Sequence, residues 1–315
     1  MIKKLDNMVD IYEDNALRYD YFNRILASFA EIYNYDYSVS SLMEDGSLYD
    51  SSSACIRCDG IKGRIRAFYE RHMNECEVNT KLYYNEVVYS GMQRQEYGYL
   101  TLGKVDETTM ADMISLSVRF LEACGLKDFT VFLDLSSKYH DGVIDGLDAL
   151  DINYVEKNID TEYEDVAFEI CIKNTFNKEV SLIKGGLASK FSEMISGLHH
   201  DVFVFSGTLE DLNQVTYDTI KLDEKILDVV ITYGNHTERD HALYLGQELR
   251  LNGFKTEVIP RCEKSFIKKY YNTKYVISLK DEDVSKDEIL LVDLYTNEKE
   301  KVKELDLVHH LDINF

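Results

Sequence analysis

Few residues in this 315-residue sequence stand in patterns that could do chemistry, and each pattern has an ordinary reading beside it. Cys55 and Cys58 form a Cys-x-x-Cys pair, which could supply half of a zinc site or a redox couple. No second Cys/His pair with matching spacing follows, so the pattern favours ordinary thiols. His199-His200 and His309-His310 are adjacent pairs. Neighbouring residues on a strand or helix point to different sides, so these histidines read as surface or loop residues rather than joint ligands. His236 and His241 stand five apart, a poor spacing for one helical face and for a shared metal. Lys184-Gly185-Gly186 lacks the preceding glycine of a phosphate-cradling loop and reads as a turn at a strand end. Arg261, Lys264, Lys268, Lys269 and Lys274 form the one locally basic patch. With Tyr270 and Tyr271 as stacking platforms, that patch could contact RNA. A solvated helix face is the plainer reading. No metal and no cofactor is expected from these patterns.

Bulk composition narrows the function classes. Formal net charge is −22, which repels phosphate backbones. No long uncharged apolar run is present, so no membrane span is expected, and the Met-Ile-Lys-Lys start has no signal-peptide core. Six scattered cysteines fit reduced thiols in a cytoplasmic protein. Trp is absent, Tyr occurs 23 times, and Pro occurs once, at Pro260, where average usage would give about 5%. Loops in this chain must therefore be held by means other than proline.

The elements that would position these residues follow from hydrophobic periodicity. Leu17, Tyr21, Ile25, Phe29 and Ile32 recur at helical spacing between Val9 and Tyr33. A Ser/Asp loop over 45–54 and a second helix over 61–77 come next. Short strands are predicted over 82–89 and 97–103. Met110, Met113, Ile114, Val118 and Leu121 share one helical face, Gly125 stands at its C-cap, and Phe129–Leu135 reads as a buried strand. A hairpin is expected over 165–173 and 178–184, and an apolar strand over 201–206. The charged run near 221–226 marks a change. Beyond it, strand (227–233), helix (237–252), strand (255–260), helix (264–272), strand (274–279), strand (288–295) and helix (300–311) indicate a small α/β domain. The predicted domain boundary is at about 222.

Read in order, several short runs resemble the catalytic core of histidyl-tRNA synthetase, a class II aminoacyl-tRNA synthetase. They are Ile56-Arg57-Cys58-Asp59-Gly60, Lys81-Leu82-Tyr83-Tyr84, Gln95-Glu96-Tyr97-Gly98-Tyr99-Leu100-Thr101-Leu102-Gly103 and Ala123-Cys124-Gly125-Leu126. The helix from Ala242 to Gly253, followed by Lys255-Thr256-Glu257-Val258, is similar to that family's anticodon-binding domain. The resemblance spans about residues 15 to 311 and implies an α+β fold. An antiparallel sheet flanked by helices would fill residues 1–222, and an anticodon-binding-like α/β domain residues 223–315. It also implies a homodimer, formed through the first motif, which here reads Ser40-Ser41-Leu42-Met43-Glu44 in place of Thr-Pro-x-x-Glu.

Where the motifs depart from the family, they lose the groups that adenylate chemistry needs. The signature Arg-Pro-Glu-Gly-Thr becomes Arg57-Cys58-Asp59-Gly60-Ile61, so Asp59 keeps a carboxylate that could face a ligand ammonium, one methylene shorter. Cys58 occupies the position of the motif's proline. Phe-Arg-Tyr-Glu, whose arginine grips the α-phosphate of ATP, becomes Val87-Val88-Tyr89-Ser90, and Val88 offers no donor. The polar pair of Gln-x-Gly-Val-Glu falls on Glu96 and Leu100, so Leu100 removes the carboxylate expected to hold an amino group. The family's arginine loop corresponds to about Asn158 to Tyr163 and contains no arginine. Gly-Gly-Arg-Tyr-Asp becomes Gly185-Gly186-Leu187-Ala188-Ser189, which puts Leu187 where an arginine stands. Gly-Leu-Glu-Arg-Leu becomes Thr208-Leu209-Glu210-Asp211-Leu212, so Asp211 replaces the arginine that lies along ATP. Like-charge repulsion there would cost about 4 kcal/mol at 4 Å and an effective ε of about 20. Glu210 and Asp211 otherwise read as a solvated acidic turn.

The resemblance thus implies a non-catalytic paralogue rather than a ligase. The role it suggests is that of the ATP phosphoribosyltransferase regulatory subunit of histidine biosynthesis, with the catalytic subunit as partner and with Asp59 and Glu96 lining what remains of the amino-acid pocket. The alternative is a tRNA-binding or protein-interaction module that uses the C-terminal domain through Arg261, Lys264, Lys268 and Lys269. A divergent active histidine–tRNA ligase is the third reading.

Overall fold

The computed structural model describes residues 3–49, 51–173, 178–222, 227–280 and 288–314. The chain divides between Lys221 and Leu222 into two compact units.

The first unit is built on an eight-stranded sheet. Its elements are α1 (Glu13–Ile32), β1 (Asp36–Tyr37), β2 (Met43–Glu44), β3 (Cys55–Ile56), α2 (Lys62–Glu70), β4 (Thr80–Tyr89), β5 (Gln93–Gly103), α3 (Glu107–Ala123) and β6 (Phe129–Leu135). They continue with α4 (His140–Ala149), β7 (Tyr154–Glu156), β8 (Glu164–Lys173), β9 (Glu179–Leu187), α5 (Ser189–Ser196), β10 (Asp201–Thr208) and α6 (Leu209–Thr216). Strand order is β1-β4-β5-β10-β9-β8-β6-β7, with β2 and β3 forming a separate ladder. The central pairs are antiparallel, and only the two outermost, β1 with β4 and β6 with β7, run parallel.

Both faces of this sheet are covered, which explains why β5 and β10 read as nearly continuous apolar runs. On β5, Tyr97 and Tyr99 join one core with α1, α3 and α4, while Leu100 and Leu102 join a second core with α2 and α5. On β10, Phe203 and Phe205 go to the first core, and Val202 and Val204 to the second. The period-2 alternation of a strand divides the two sets. α3 is capped by Asp106, whose carboxylate accepts from the Thr109 N–H. Gly125 follows with φ of 84°, in the left-handed region that ends a helix.

The second unit holds β11 (Leu227–Tyr233), α7 (His236–Leu251), β12 (Thr256–Pro260), α8 (Lys264–Tyr270), β13 (Thr273–Ser278), β14 (Glu288–Asp293), β15 (Lys299–Lys303) and α9 (Leu307–Asn314). Its sheet order is β12-β11-β13-β14-β15, parallel among β12, β11 and β13 and antiparallel beyond.

Four expectations need correction. The helix predicted over 61–77 stops at Glu70 and is followed by a short 3-10 turn over Met73–Glu75. The helix predicted over 300–311 begins as a strand. Lys299–Lys303 pairs antiparallel with β14 and buries Val302, and α9 starts only at Leu307. Lys184-Gly185-Gly186 is not a turn but the interior of β9, between β8 and β10. A Cβ on Gly185 would lie 2.5 Å from the Val204 carbonyl oxygen, so the glycine serves close strand contact. Residues 209–212 are not an acidic turn but the first turn of α6, capped by the Thr208 hydroxyl. Helices α4, α5 and α6 are short, and their periodic signal was too brief to be read as helix.

Candidate functional site

The site is built around Glu96, on the α2-covered face of the sheet. Two glycines create it. A Cβ on Gly60 would lie 2.1 Å from Tyr84 Cε2, and one on Gly98 would lie 2.7 Å from Tyr84 Oη, so only bare backbone lets the Tyr84 ring lie flat between them. Held there, the Tyr84 hydroxyl donates to Glu96 Oε1 at 2.6 Å, and the Gly60 N–H donates to the same oxygen at 2.8 Å. Burial pushes the Glu96 carboxyl up to about 7, with the nearby Asp59 charge adding to the rise; the Tyr84 and Gly60 hydrogen bonds pull the other way. Burial and the Glu96 charge push the Tyr84 phenol well above its usual range.

Asp59 lies at the start of α2. Its Oδ1 accepts from the Ile61 and Lys62 N–H groups at 2.9 and 2.8 Å, and Oδ2 stands 3.8 Å from Lys62 Nζ. The carboxylate therefore terminates a helix as well as facing a cavity. That cavity, of about 490 Å³, is lined by Asp59, Ile61, Lys62, Glu96, Asp160, Thr161, Glu162, Tyr163, Lys184, Phe191 and Ser206. A second, of about 190 Å³, shares Glu96, Lys184 and Ser206 and adds Ser181, Leu182, Gly207, Thr208 and Asp211. Five carboxylates thus face two lysines, and no arginine lines either cavity.

Arginines are abundant beside the site but are engaged elsewhere. Arg57 and Arg64 are both buried against Glu86, with N–O distances of 2.8 and 3.0 Å. Arg57 also donates to the Val87 and Ser40 carbonyls, and Arg64 to the Ser38 carbonyl and Gly60 oxygen, while its guanidinium stacks 4.0 Å from the Tyr84 ring centre. Glu86 accepts further from Ser40 N at 2.8 Å. A buried network of this kind turns both guanidinium groups toward Glu86 and backbone carbonyls rather than toward the cavities. Arg94 forms an ion pair with Asp211 Oδ2 at 3.2 Å, and the Thr208 hydroxyl donates to the same carboxylate. The repulsion expected from Asp211 is therefore moderated by a neighbouring guanidinium. Glu210 turns away and accepts from Gln95 N–H at 3.0 Å, and its carboxyl is raised by burial.

The structure brings together three of the six pocket residues proposed from sequence. Asp59, Glu96 and Asp211 line the cavities. Val88, Leu100 and Leu187 are buried and line neither: Leu100 packs with Ile61, Ile65, Tyr84 and Phe191, and Leu187 belongs to the opposite core. An apolar plug thus fills part of the sheet face beside an open acidic trough. Sequence reasoning did not find Tyr84, Lys62, Lys184 or Phe191 as site residues. Tyr84 was signalled only by the two glycines, and the others come together through folding.

In the second unit, Arg261 is engaged by Glu238 at 2.8 Å and by the Leu279 carbonyl. Lys264, Lys268 and Lys269 are exposed on α8. Phe266 and Tyr270 are exposed beside them with ring centres 4.6 Å apart, whereas Tyr271 packs inward against the Val230 cluster. Among the described residues no group of three or more His, Cys, Asp or Glu could hold a metal ion, and no helix is long and apolar enough to cross a membrane.

The chain matches no protein-family model and no curated protein. Its fold is that of histidyl-tRNA synthetases. Apo histidyl-tRNA synthetase from S. aureus superposes with a TM-score of 0.90 at 22% identity, covering 99% of this chain and 100% of that one. Histidyl-tRNA synthetase from Nostoc sp. PCC 7120 gives 0.79 at 13% identity, with full coverage of both chains. A protein from Bacillus halodurans C, described as an ATP phosphoribosyltransferase regulatory subunit/histidyl-tRNA synthetase, gives 0.73 at 13% identity, covering 88% of this chain and 98% of that one.

Proposed function

We propose that this chain is a non-catalytic relative of histidyl-tRNA synthetase that acts in the cytoplasm by binding, as a homodimer. Its ligand is a small molecule carrying an amino group, held in the acidic trough at Glu96. One observation carries this reading. Five carboxylates and two lysines line the trough without an arginine, while Arg57 and Arg64 are held underneath by their shared partner Glu86. Transfer of an aminoacyl group through an adenylate needs guanidinium or metal charge on the α- and γ-phosphates. An anionic cavity repels a triphosphate and favours a cationic or zwitterionic ligand. A regulatory role toward an ATP phosphoribosyltransferase catalytic subunit fits such a ligand-reading protein, and the likeness to the Bacillus halodurans protein supports it.

The test combines two measurements. ATP–pyrophosphate exchange with histidine is expected to be absent, and exchange above background would overturn the non-catalytic reading. Histidine is expected to raise the thermal midpoint of the protein, and Glu96→Gln to abolish that rise. Absence of histidine stabilisation, together with failure to copurify with a short ATP phosphoribosyltransferase, would remove the regulatory reading.

A second reading is favoured by a separate observation, the exposed Phe266–Tyr270 pair beside Lys264, Lys268 and Lys269 on α8. Flat rings beside exposed lysines suit a single-stranded nucleic acid, and the ligand would then be tRNA.

A further inference from the structure

Glu96 on β5 and Asp59 before α2 meet at one helix start. Three successive amides there are divided between them. Gly60 N–H donates to Glu96 Oε1, while Ile61 and Lys62 N–H donate to Asp59 Oδ1. The Tyr84 hydroxyl also goes to Glu96 Oε1, so both donors to this side chain sit on one oxygen. Among the described residues no donor reaches Oε2. Nor is Oε2 one of the unpaired atoms sealed in the interior, so it opens onto the trough.

The positive charges nearby are drawn to other carboxylates. Lys62 Nζ stands 3.8 Å from Asp59 Oδ2, Arg64 pairs with Glu86 at 3.0 Å, and Lys184 pairs with Glu169 at 3.4 Å. None of the three forms an ion pair with Glu96. Asp160, Glu162 and Asp211 add negative charge around the cavities. The Tyr84 and Tyr163 phenols, pushed above their usual range by burial, stay neutral. Two carboxylates fixed at one helix start with so little positive charge between them do not both ionise readily. Asp59 is the one that keeps its charge, because two amides and Lys62 hold it.

We propose that Asp59 and Glu96 hold one proton between them, carried on the open Glu96 Oε2, and that the ammonium group of the ligand takes its place. The inference rests on the amine-binding reading of the trough and adds control by pH to it. Burial and then the Asp59 charge push the Glu96 carboxyl up to about 7, the direction such a pair requires. The exchange balances in atoms and charge. Glu96 gives its Oε2 proton to water, and the carboxylate left behind accepts an N–H from the ammonium. One cation enters for each proton that leaves, so no net charge is added to a desolvated site. A ligand without a positive charge gains nothing from this exchange.

Infrared difference spectroscopy of the full-length chain tests both halves. A protonated-carboxyl stretch is expected in the ligand-free protein at about pH 6, assigned by its loss in Glu96→Gln. Asp59→Asn keeps an acceptor for the two amides and removes the charge, so the stretch should vanish at a lower pH than in the native chain. Absence of the stretch, or a midpoint unmoved by Asp59→Asn, would overturn the one-proton pair. Histidine is the amine probe, and at saturation it should abolish the stretch at the same pH. A stretch that persists while histidine raises the thermal midpoint overturns the exchange and leaves amine binding standing. Failure of histidine to bind between about pH 5.5 and 8 overturns the exchange together with the amine-binding reading, and the pair is then judged by Asp59→Asn alone.

Discussion

Glu96→Gln removes one charge from the centre of the trough and little else. The glutamine oxygen can still accept from Tyr84 and Gly60, so the packing and both hydrogen bonds persist. The carboxyl of Glu96 is raised from an ordinary 4.5 to about 7 in the folded chain. A raised carboxyl binds its proton more tightly folded than unfolded. Its contribution to stability is therefore complete below pH 4.5 and is lost as pH rises to about 7. The interval corresponds to about 3 kcal/mol at 1.36 kcal/mol per unit. The isoelectric point near 4.7 makes acidic solutions of this protein prone to association, so pH 5.5 to 8 is the useful window. About 2 kcal/mol of the difference should develop inside it. Urea unfolding of both proteins, followed by tyrosine fluorescence and circular dichroism, measures this directly. The two compact units call for separate fitting of each transition. The stability of Glu96→Gln relative to the native protein should rise by about 2 kcal/mol between pH 5.5 and about 7 and level off toward pH 8. Parallel pH profiles would refute the placement of Glu96 as a desolvated carboxyl. Tyr84→Phe supplies an internal control, because deleting a donor that holds the charged form moves the Glu96 transition further upward. A downward movement would contradict the role given to Tyr84.

Two further perturbations probe the rest of the argument. Glu86→Ala strands Arg57 and Arg64 in the interior and should cost about 3–5 kcal/mol, whereas Arg94→Ala, at the part-exposed pair with Asp211, should cost less than about 1 kcal/mol. Equal losses in urea titrations would show that the arginine network is not closed. If α8 contacts tRNA, replacing Lys264, Lys268 and Lys269 by alanine removes three phosphate contacts and should flatten the slope of log K against log salt by about 2 for a single strand. No tRNA binding at low salt in the native chain would discard the second reading.

Much of the fold could be read in the sequence, because strand alternation and helical periodicity are local. The helix through Met110 and Leu121, the hairpin partners around 82–103 and the alternation of strands and helices beyond residue 227 all left period signals. What failed was equally local in cause. Lys299–Lys303 carries one buried apolar residue, Val302, so its strand character comes from pairing with β14 and not from its own pattern. Gly185 and Gly186 look like a turn in isolation and are strand only because β8 and β10 flank them.

The candidate site divides along the same line. By itself the sequence determined which residue types remain at the synthetase-like positions: valine at 88, leucine at 100 and 187, acids at 59, 96 and 211. Side-chain identity alone decides whether a position can donate to a phosphate. Tertiary structure decided where the remaining charges go. Arg57, Arg64 and Glu86 come from a loop, a helix and a strand, and Arg94 meets Asp211 across more than a hundred residues. Whether a guanidinium reaches a ligand or a carboxylate binds a proton near pH 7 depends on distances and burial, which follow from the closed fold. For the same reason, Leu100 and Tyr84 fill one part of the sheet face while Glu96 still opens onto an acidic trough beside them.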